Sequence, residues 1–249
     1  MEQSAGLRYH QSVQDAKDEL LRQQILDTLR LHPAYGHRRI AIELGTGKRR
    51  VRRVMQKYGI KPYKRKARWR KRRDEQKEPA PYTNLIKYLC PVKPGVIFVS
   101  DFTYIKYREK YVYLATFMDL YTREVVGWHL FHRHTKQLVL QAFWDAVENT
   151  GHLPQIVHSD QGSEYTNETY TKLLTELEIQ ISMSKKASPW ENGYQESFYN
   201  NFKTDLGLEI DRFTSIGELV EAIHQTITYY NRYRIHTSLK RSPYQHKLL

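Results

Sequence analysis

The stretch VIFVSDFTYIKYREKYVYLATFMDLYTREVVGWHLFH, residues 96–132, decides the fold. It holds three runs rich in β-branched and aromatic residues, Val96–Tyr107, Lys110–Asp119 and Glu124–His132. Short polar turns separate them, the pattern of an antiparallel meander. The first run is apolar on both faces, which predicts a central, buried strand. Asp101 interrupts that run. An ionised carboxylate in such a strand is costly unless a cation or hydrogen bonds compensate it. A bound divalent cation is one explanation for Asp101, and an Asp at a strand end bonded to backbone is the plainer one.

Working outward, Thr135–Thr150 reads as a helix closed by Gly151, with Leu138, Val139, Ala142, Phe143, Ala146 and Val147 inward. A short strand running to Asp160 follows, then a helix at Asn167–Leu177 and a strand at Ile179–Ser184. Helices at Trp190–Leu206 and Ser215–Tyr233 come last. Three antiparallel strands followed by alternating helix and strand predict an α/β mixed sheet flanked by helices. Asp160 falls where its strand gives way to Gln161-Gly162, at the carboxyl end of the sheet where α/β ligands gather. Taken alone, Asp160 also reads as an Asx-turn residue.

Glu196 stands 36 positions beyond Asp160 in a helical segment. Helical spacing places Asn192, Asn200 and Lys203 on its face, with Tyr194, Phe198 and Phe202 opposite, toward the core. An ordinary surface stripe has the same composition. Three carboxylates at the ends of strand, strand and helix are nevertheless the set that holds two divalent cations for in-line displacement at phosphorus. His158 reads as a strand-end residue or an outer neighbour of Asp160, Asp119 as a turn cap with Thr122 and Arg123. Arg234 and His236 read as residues that bridge elements or meet DNA.

The net charge of +13 lies entirely in residues 1–80, with 22 Lys and Arg against 9 Asp and Glu, whereas residues 81–249 balance. Such asymmetry fits a handle for a polyanion joined to a neutral body. No apolar stretch of membrane-spanning length and no secretory or lipidation signal is present, which argues against a membrane. A single cysteine, Cys90, excludes an internal disulfide and a cysteine-based zinc site, so a cytoplasmic location is expected.

Within the basic third, Asp15–Arg30 carries Leu20, Leu21, Ile25, Leu26 and Leu29 at helical spacing, and a short helix is expected at His37–Leu44. The turn Gly45-Thr46-Gly47 leads into Lys48–Tyr58, where Val51, Val54, Met55 and Tyr58 form one apolar face. Arg49, Arg50, Arg52, Arg53 and Lys57 surround that face, and Gly59 is placed to end the helix. The pattern predicts a helix-turn-helix whose second helix meets DNA, against the simpler reading of a solvated basic helix. Nine of the thirteen residues 61–73 are Lys or Arg without apolar periodicity, a linker able to track phosphates through Lys64, Arg65, Lys66, Arg68, Arg70, Lys71, Arg72 and Arg73. Tyr63 and Trp69 are candidates for base stacking.

The contexts VSDFTYIKYREKYVYLATFMDLYTREVVGW, HSDQGSEYTN and SPWENGYQESFYNNFKTD resemble the catalytic core of the retroviral integrase and bacterial transposase superfamily. NRYRIHTSLKRSPYQH resembles the segment that follows this core in insertion-sequence transposases. HPAYGHRRIAIELG with KRRVRRVMQKYGIKP resembles the helix-turn-helix preceding it in a class whose catalytic half is encoded by the second of two overlapping frames. The resemblance covers about residues 25–247. It implies a ribonuclease H-like fold and a DDE triad of Asp101, Asp160 and Glu196, with Lys203 the basic residue seven positions after the Glu. Glu191-Asn192 departs from the common Asp-Asn, and the retroviral zinc-binding domain is absent.

The expectation is therefore an α/β, ribonuclease H-like core at residues 96–235, preceded by a small all-α helix-turn-helix domain at 1–60 and a basic linker at 61–95, with a tail at 236–249. Its expected activity is DDE transposition: metal-dependent DNA cleavage and strand transfer, with two Mg²⁺ or Mn²⁺ ions held by Asp101, Asp160 and Glu196. Expected partners are duplex DNA (terminal inverted repeats and target), further copies of the chain, and an upstream-frame product by fusion or binding. The alternatives are a structure-selective nuclease of the same fold, a DNA-binding regulator with an inactive core, and a tyrosine recombinase using Tyr229, Tyr230 or Tyr233, which would need no acidic triad or metal.

Overall fold

The computed structural model describes residues 5–64, 80–89, 91–185, 189–207 and 213–249. Cys90, Trp69 and the expected DNA contacts Arg65, Lys66, Arg68, Arg70, Lys71, Arg72 and Arg73 lie outside them. The described residues form two compact units, one of Ala5–Lys64 with Arg234–Arg241, the other of Ala80–Tyr233 with Ser242–Leu249.

The first unit is all-α, with α1 at Ala5–Leu31, α2 at His37–Glu43 and α3 at Lys48–Lys57. Leu21 and Ile25 of α1 pack with Ile40 and Ala41 of α2 and with Val51, Val54 and Met55 of α3. Leu20, also read as part of the α1 stripe, is 66% exposed, because the buried face runs through Leu21, Ile25 and Thr28 instead. Both later helices stop in the same way. Gly45 and Gly59 adopt left-handed φ of 57° and 65°. The following N–H groups turn back, Thr46 to the Ala41 carbonyl and Ile60 to the Met55 carbonyl, each at 2.9 Å. Glycine suits that conformation because it carries no Cβ to clash.

Residues from the far end of the chain complete this core. Ile235 is buried in it, its N–H donates to the Tyr35 hydroxyl at 2.7 Å, and its carbonyl accepts from Arg39 Nε at 3.0 Å. Asp18 of α1 carries a fully buried side chain. It accepts two hydrogen bonds from Arg53, at 2.7 and 2.5 Å, one from Lys57 at 3.1 Å and one from Gln14 at 2.8 Å. Arg53 and Lys57, read from sequence among the DNA contacts, thus tie α3 to α1.

The second unit is a mixed sheet, five-stranded among the described residues, in the order β3-β2-β1-β4-β5. Its strands are β1 Ile97–Tyr107, β2 Lys110–Asp119, β3 Val125–Phe131, β4 Ile156–Ser159 and β5 Gln180–Met183. The first three form the expected meander, and β4 and β5 add in parallel. The helices are α4 Lys136–Thr150, α5 Glu168–Glu176, α6 Gly193–Asp205, α7 Ile216–Arg232 and α8 Pro243–Lys247. Of these, α8 was not foreseen in the tail; Ser242 and Gln245 close it with a reciprocal capping box.

Strand β1 is central and buried on both sides, as its composition requires. Phe98 joins Phe117, Leu138, Ala142 and Phe143 in one layer. Its neighbours Ile97 and Val99 join Phe198, Phe202, Leu219 and Ile223 in the other. Gly127 of β3 makes the first layer possible, since a Cβ there would stand 2.4 Å from Ala146 N and 2.5 Å from Ala142 O of α4. No helix among the described residues is long and apolar enough to cross a membrane.

Two outcomes follow. Gly127→Ala forces α4 off the sheet and lowers stability by about 3 kcal/mol, as overpacking does, measured by urea unfolding. The hydrogen bonds of Arg53, ahead of the others, hold the Asp18 carboxyl well below its ordinary value of 3.8. A carboxylate depressed in the folded state contributes stability above its unfolded pKa and loses it as pH falls below that value. The local stability of α1 and α3, followed by amide hydrogen exchange, therefore declines as pH drops below about 4. Asp18→Asn loses about 1–2 kcal/mol at neutral pH, given that Arg53 is half exposed, and flattens the acid decline.

Candidate active site

The parallel pairing of β1 with β4 brings the first two carboxylates together. Ile97, Phe98 and Val99 stand level with Ile156, Val157 and His158. Continued by two residues, this register sets Asp101 beside Asp160, the first residue after β4. Both expected backbone roles are present. Asp101 accepts from the Phe102 N–H at 2.8 Å, and Asp160 accepts from the Gly162 N–H at 2.9 Å. One hydrogen bond does not compensate either charge. Burial, then repulsion by Asp160 and Glu196, pushes the Asp101 carboxyl up to about 8, against the pull of Phe102 N–H and Lys203. Burial raises Asp160 as well, with Glu164 adding to it and the Gly162 N–H opposing.

Glu196 sits in the first turn of α6 and Lys203 in its last. The Lys203 ammonium lies 4.7 Å from the centre of the Tyr104 ring. Helix α6 is held against β1 by polar side chains. Gln195, fully buried, donates to the Val99 carbonyl at 2.6 Å and accepts from Thr116 Oγ1 at 3.1 Å. Tyr199 donates to the carbonyl of Asp101 itself at 2.6 Å. Asn192 donates to the Ser100 carbonyl at 3.3 Å. These bonds fasten the Glu196 helix to the strand that carries Asp101.

They also correct the reading of α6. Its buried face runs through Gln195, Phe198, Tyr199 and Phe202, whereas Tyr194 is 45% exposed and lies under the Arg123 guanidinium, 3.8 Å from its ring centre. Asn192 precedes the helix and is buried, so it does not share the exposed stripe with Glu196. A signal was available, since Gln195, Phe198, Tyr199 and Phe202 fall at i, i+3, i+4 and i+7. Expecting apolar residues on the core face hid it.

The neighbouring polar residues are structural. Asp119 caps the β2–β3 turn through the N–H groups of Tyr121 and Thr122, at 3.0 and 2.7 Å, and accepts from Gly95 N–H at 2.6 Å. His158 is buried with Nδ1 2.9 Å from Ser182 Oγ, and burial pushes it down to about 4, so it stays neutral. Glu191 accepts from the Lys185 N–H at 2.8 Å and from Asn84 at 3.0 Å, closing the loop before α6.

Among the described residues no three His, Cys, Asp or Glu side chains close on one point as metal ligands. The donor set still suits a divalent cation. Asp101 and Asp160 are partly buried oxygen donors whose charges repel each other, and among the described residues no ion pair to either is seen, the demand that Mg²⁺ or Mn²⁺ meets.

Residues 91–189 and 177–243 each match a family model described as an integrase core domain. The chain is 31% identical to the putative transposase of insertion sequence element IS150 from Escherichia coli, over 83% of this chain and 74% of that one. It is 30% identical to the 31 kDa protein of insertion element IS600 from Shigella sonnei, over 94% and 88%. It is 37% identical to the transposase of insertion element IS904 from Lactococcus lactis, where the match spans 59% of this chain and 58% of that protein. Among solved structures, the magnesium-bound catalytic core of HTLV-2 integrase aligns with a TM-score of 0.51 at 18% identity, over 63% of this chain and 98% of that one. At that identity the likeness shows the fold alone, the ribonuclease H-like layer of integrase cores.

Proposed function

The chain belongs to the integrase-core family of insertion-element transposases, polynucleotidyl transferases that break and rejoin DNA, and we propose that it does so through Asp101, Asp160 and Glu196. The observation that carries this reading is the register of β1 on β4, which levels two partly buried carboxylates, together with the bonds of Gln195 and Tyr199 that fasten the Glu196 helix to the same strand. Asp101, Asp160 and Glu196 would hold two Mg²⁺ or Mn²⁺ ions. Such a pair, when bound, activates the attacking oxygen and stabilises the leaving one.

The protein's own groups do the rest. Asp101 and Asp160 are only partly exposed, so charge interactions between them are screened less than at an open surface. Lys203, its ammonium resting by the Tyr104 ring, meets a backbone phosphate. The substrate is duplex DNA, the element ends and the target, handled by several copies of the chain. Association with an upstream-frame product rests on the family resemblance. The relatives are insertion-element proteins, which favours transposition over the nuclease and regulator alternatives.

For the handle, the all-α unit presents Arg49, Arg50 and Arg52 exposed on α3, and we assign phosphate contact to them. Arg53 and Lys57 are engaged with Asp18, so their first task is to hold the helices together. The basic linker extends this surface in the same reading.

Two experiments test the proposal. Asp101→Asn, Asp160→Asn and Glu196→Gln each abolish cleavage and strand joining on an end-containing duplex, with DNA affinity retained in the same samples. Full activity in any one variant removes that residue from the set. Replacing Arg49, Arg50 and Arg52 with Ala weakens duplex binding and flattens its salt dependence, each lost phosphate contact taking about 0.9 from the log–log slope. An unchanged slope transfers the handle to the linker.

A further inference from the structure

A fourth carboxylate stands beside Asp160. Glu164 is buried, 5% exposed, and its Oε1 lies 2.5 Å from His134 Nδ1. A carboxylate is acceptor-only, so Nδ1 carries the proton of this bond. The other oxygen turns toward Asp160. A Cβ placed on Gly162 would lie 3.1 Å from Glu164 Oε2 and 3.1 Å from Asp160 Oδ1, so glycine leaves a corner that both carboxyl groups share. The loop bearing them is pinned, since the Tyr165 N–H donates to the Gly162 carbonyl at 2.9 Å and the buried Tyr165 hydroxyl meets Ser100 Oγ at 2.9 Å.

His134 is equally placed. Its ring lies parallel to Phe102, with centroids 6.1 Å apart and planes 3° from one another, and Tyr113 flanks it at 4.9 Å. Phe102 follows Asp101 and supplies that carboxyl with its backbone bond. Phe102 and His134 thus link the Asp101 strand to Glu164, whose second oxygen shares the Gly162 corner with Asp160.

We propose that His134 and Glu164 are a positioning pair for the candidate active site, in which Glu164, oriented by His134, adds the negative charge that tightens cation binding at Asp160. The inference rests on the assignment of Asp160 as a metal-holding residue. Two carboxylates sharing a corner repel one another, and a divalent cation relieves that repulsion. The charge of Glu164 therefore raises the affinity of the site although Glu164 touches no reacting atom. Outer partners of metal-holding residues act in this way, and their loss costs about 10-fold or more in metal affinity.

The test uses the full chain and Mn²⁺ alone, titrated by the loss of the free-ion electron paramagnetic resonance signal, with thermal unfolding as a control. Glu164→Gln keeps an acceptor for His134 and removes only the charge. It should bind Mn²⁺ about 10-fold more weakly with an unchanged unfolding midpoint, and the Mn²⁺ concentration for half-maximal cleavage should rise in parallel. His134→Ala should weaken Mn²⁺ binding similarly, and His134→Asn, which keeps a donor toward Glu164, should recover part of the loss. This pair of variants decides the matter if Glu164→Gln does not fold. Wild-type Mn²⁺ affinity in a folded Glu164→Gln variant, or equal affinities for His134→Ala and His134→Asn, overturns the proposal. Asp160→Asn separates the two readings: if it binds Mn²⁺ as the wild type does, the assignment of Asp160 fails, whatever the pair does.

Discussion

The structure of the larger unit is organised around the cost of placing Asp101 in a strand buried on both faces. A carboxylate there loses hydration that one backbone N–H cannot replace. The neighbourhood deepens the difficulty, because the parallel strand β4 delivers Asp160 at the same level and Glu196 adds its charge from α6. A fold selected for stability alone would have an apolar residue at this point of the strand. The sheet instead concentrates negative charge at one end, where polar bonds from α6 brace the backbone around it. A bound cation would relieve such a concentration of like charge.

That bracing is polar because of where it acts. Val99, Ser100 and Asp101 offer carbonyls to α6, and Gln195, Asn192 and Tyr199 satisfy them. An apolar side chain at 195 would fill the space and leave buried carbonyls without partners. Phe198 and Phe202, one and two turns further along the same face, supply the apolar contact that the polar residues do not. The helix carrying Glu196 is thereby held in register with the strand carrying Asp101, and direction as well as proximity is specified.

The smaller unit treats its buried charge differently. Asp18 is surrounded by donors, and its carboxyl is held low rather than raised. Two carboxylates of the chain thus have opposite environments: Asp18 is compensated by several donors, whereas Asp101 is left under-compensated. The distinction divides the cations of α3 as well, since Arg53 and Lys57, though partly exposed, are paired with Asp18, while the exposed Arg49, Arg50 and Arg52 are not.

Much of this was legible in sequence. Alternation and turn residues identify β1, β2 and β3 to within a residue, because strand pairing in a meander is local and its signals are short-range. The carboxylates stood out because an Asp is conspicuous inside an apolar run. Gly45 and Gly59 announced the helix ends through their conformational freedom. What the sequence by itself left undecided were relations between distant segments: the buried face of α6, the engagement of Arg53 and Lys57 by Asp18, the insertion of Ile235 among helices formed by the first sixty residues, and the meeting of His134 with Glu164. Each depends on which polar group another segment presents at that point. Apolar periodicity reports which side of an element avoids water, but a buried Gln or Asp is tolerated only by its partner, and tertiary structure alone supplies the partner.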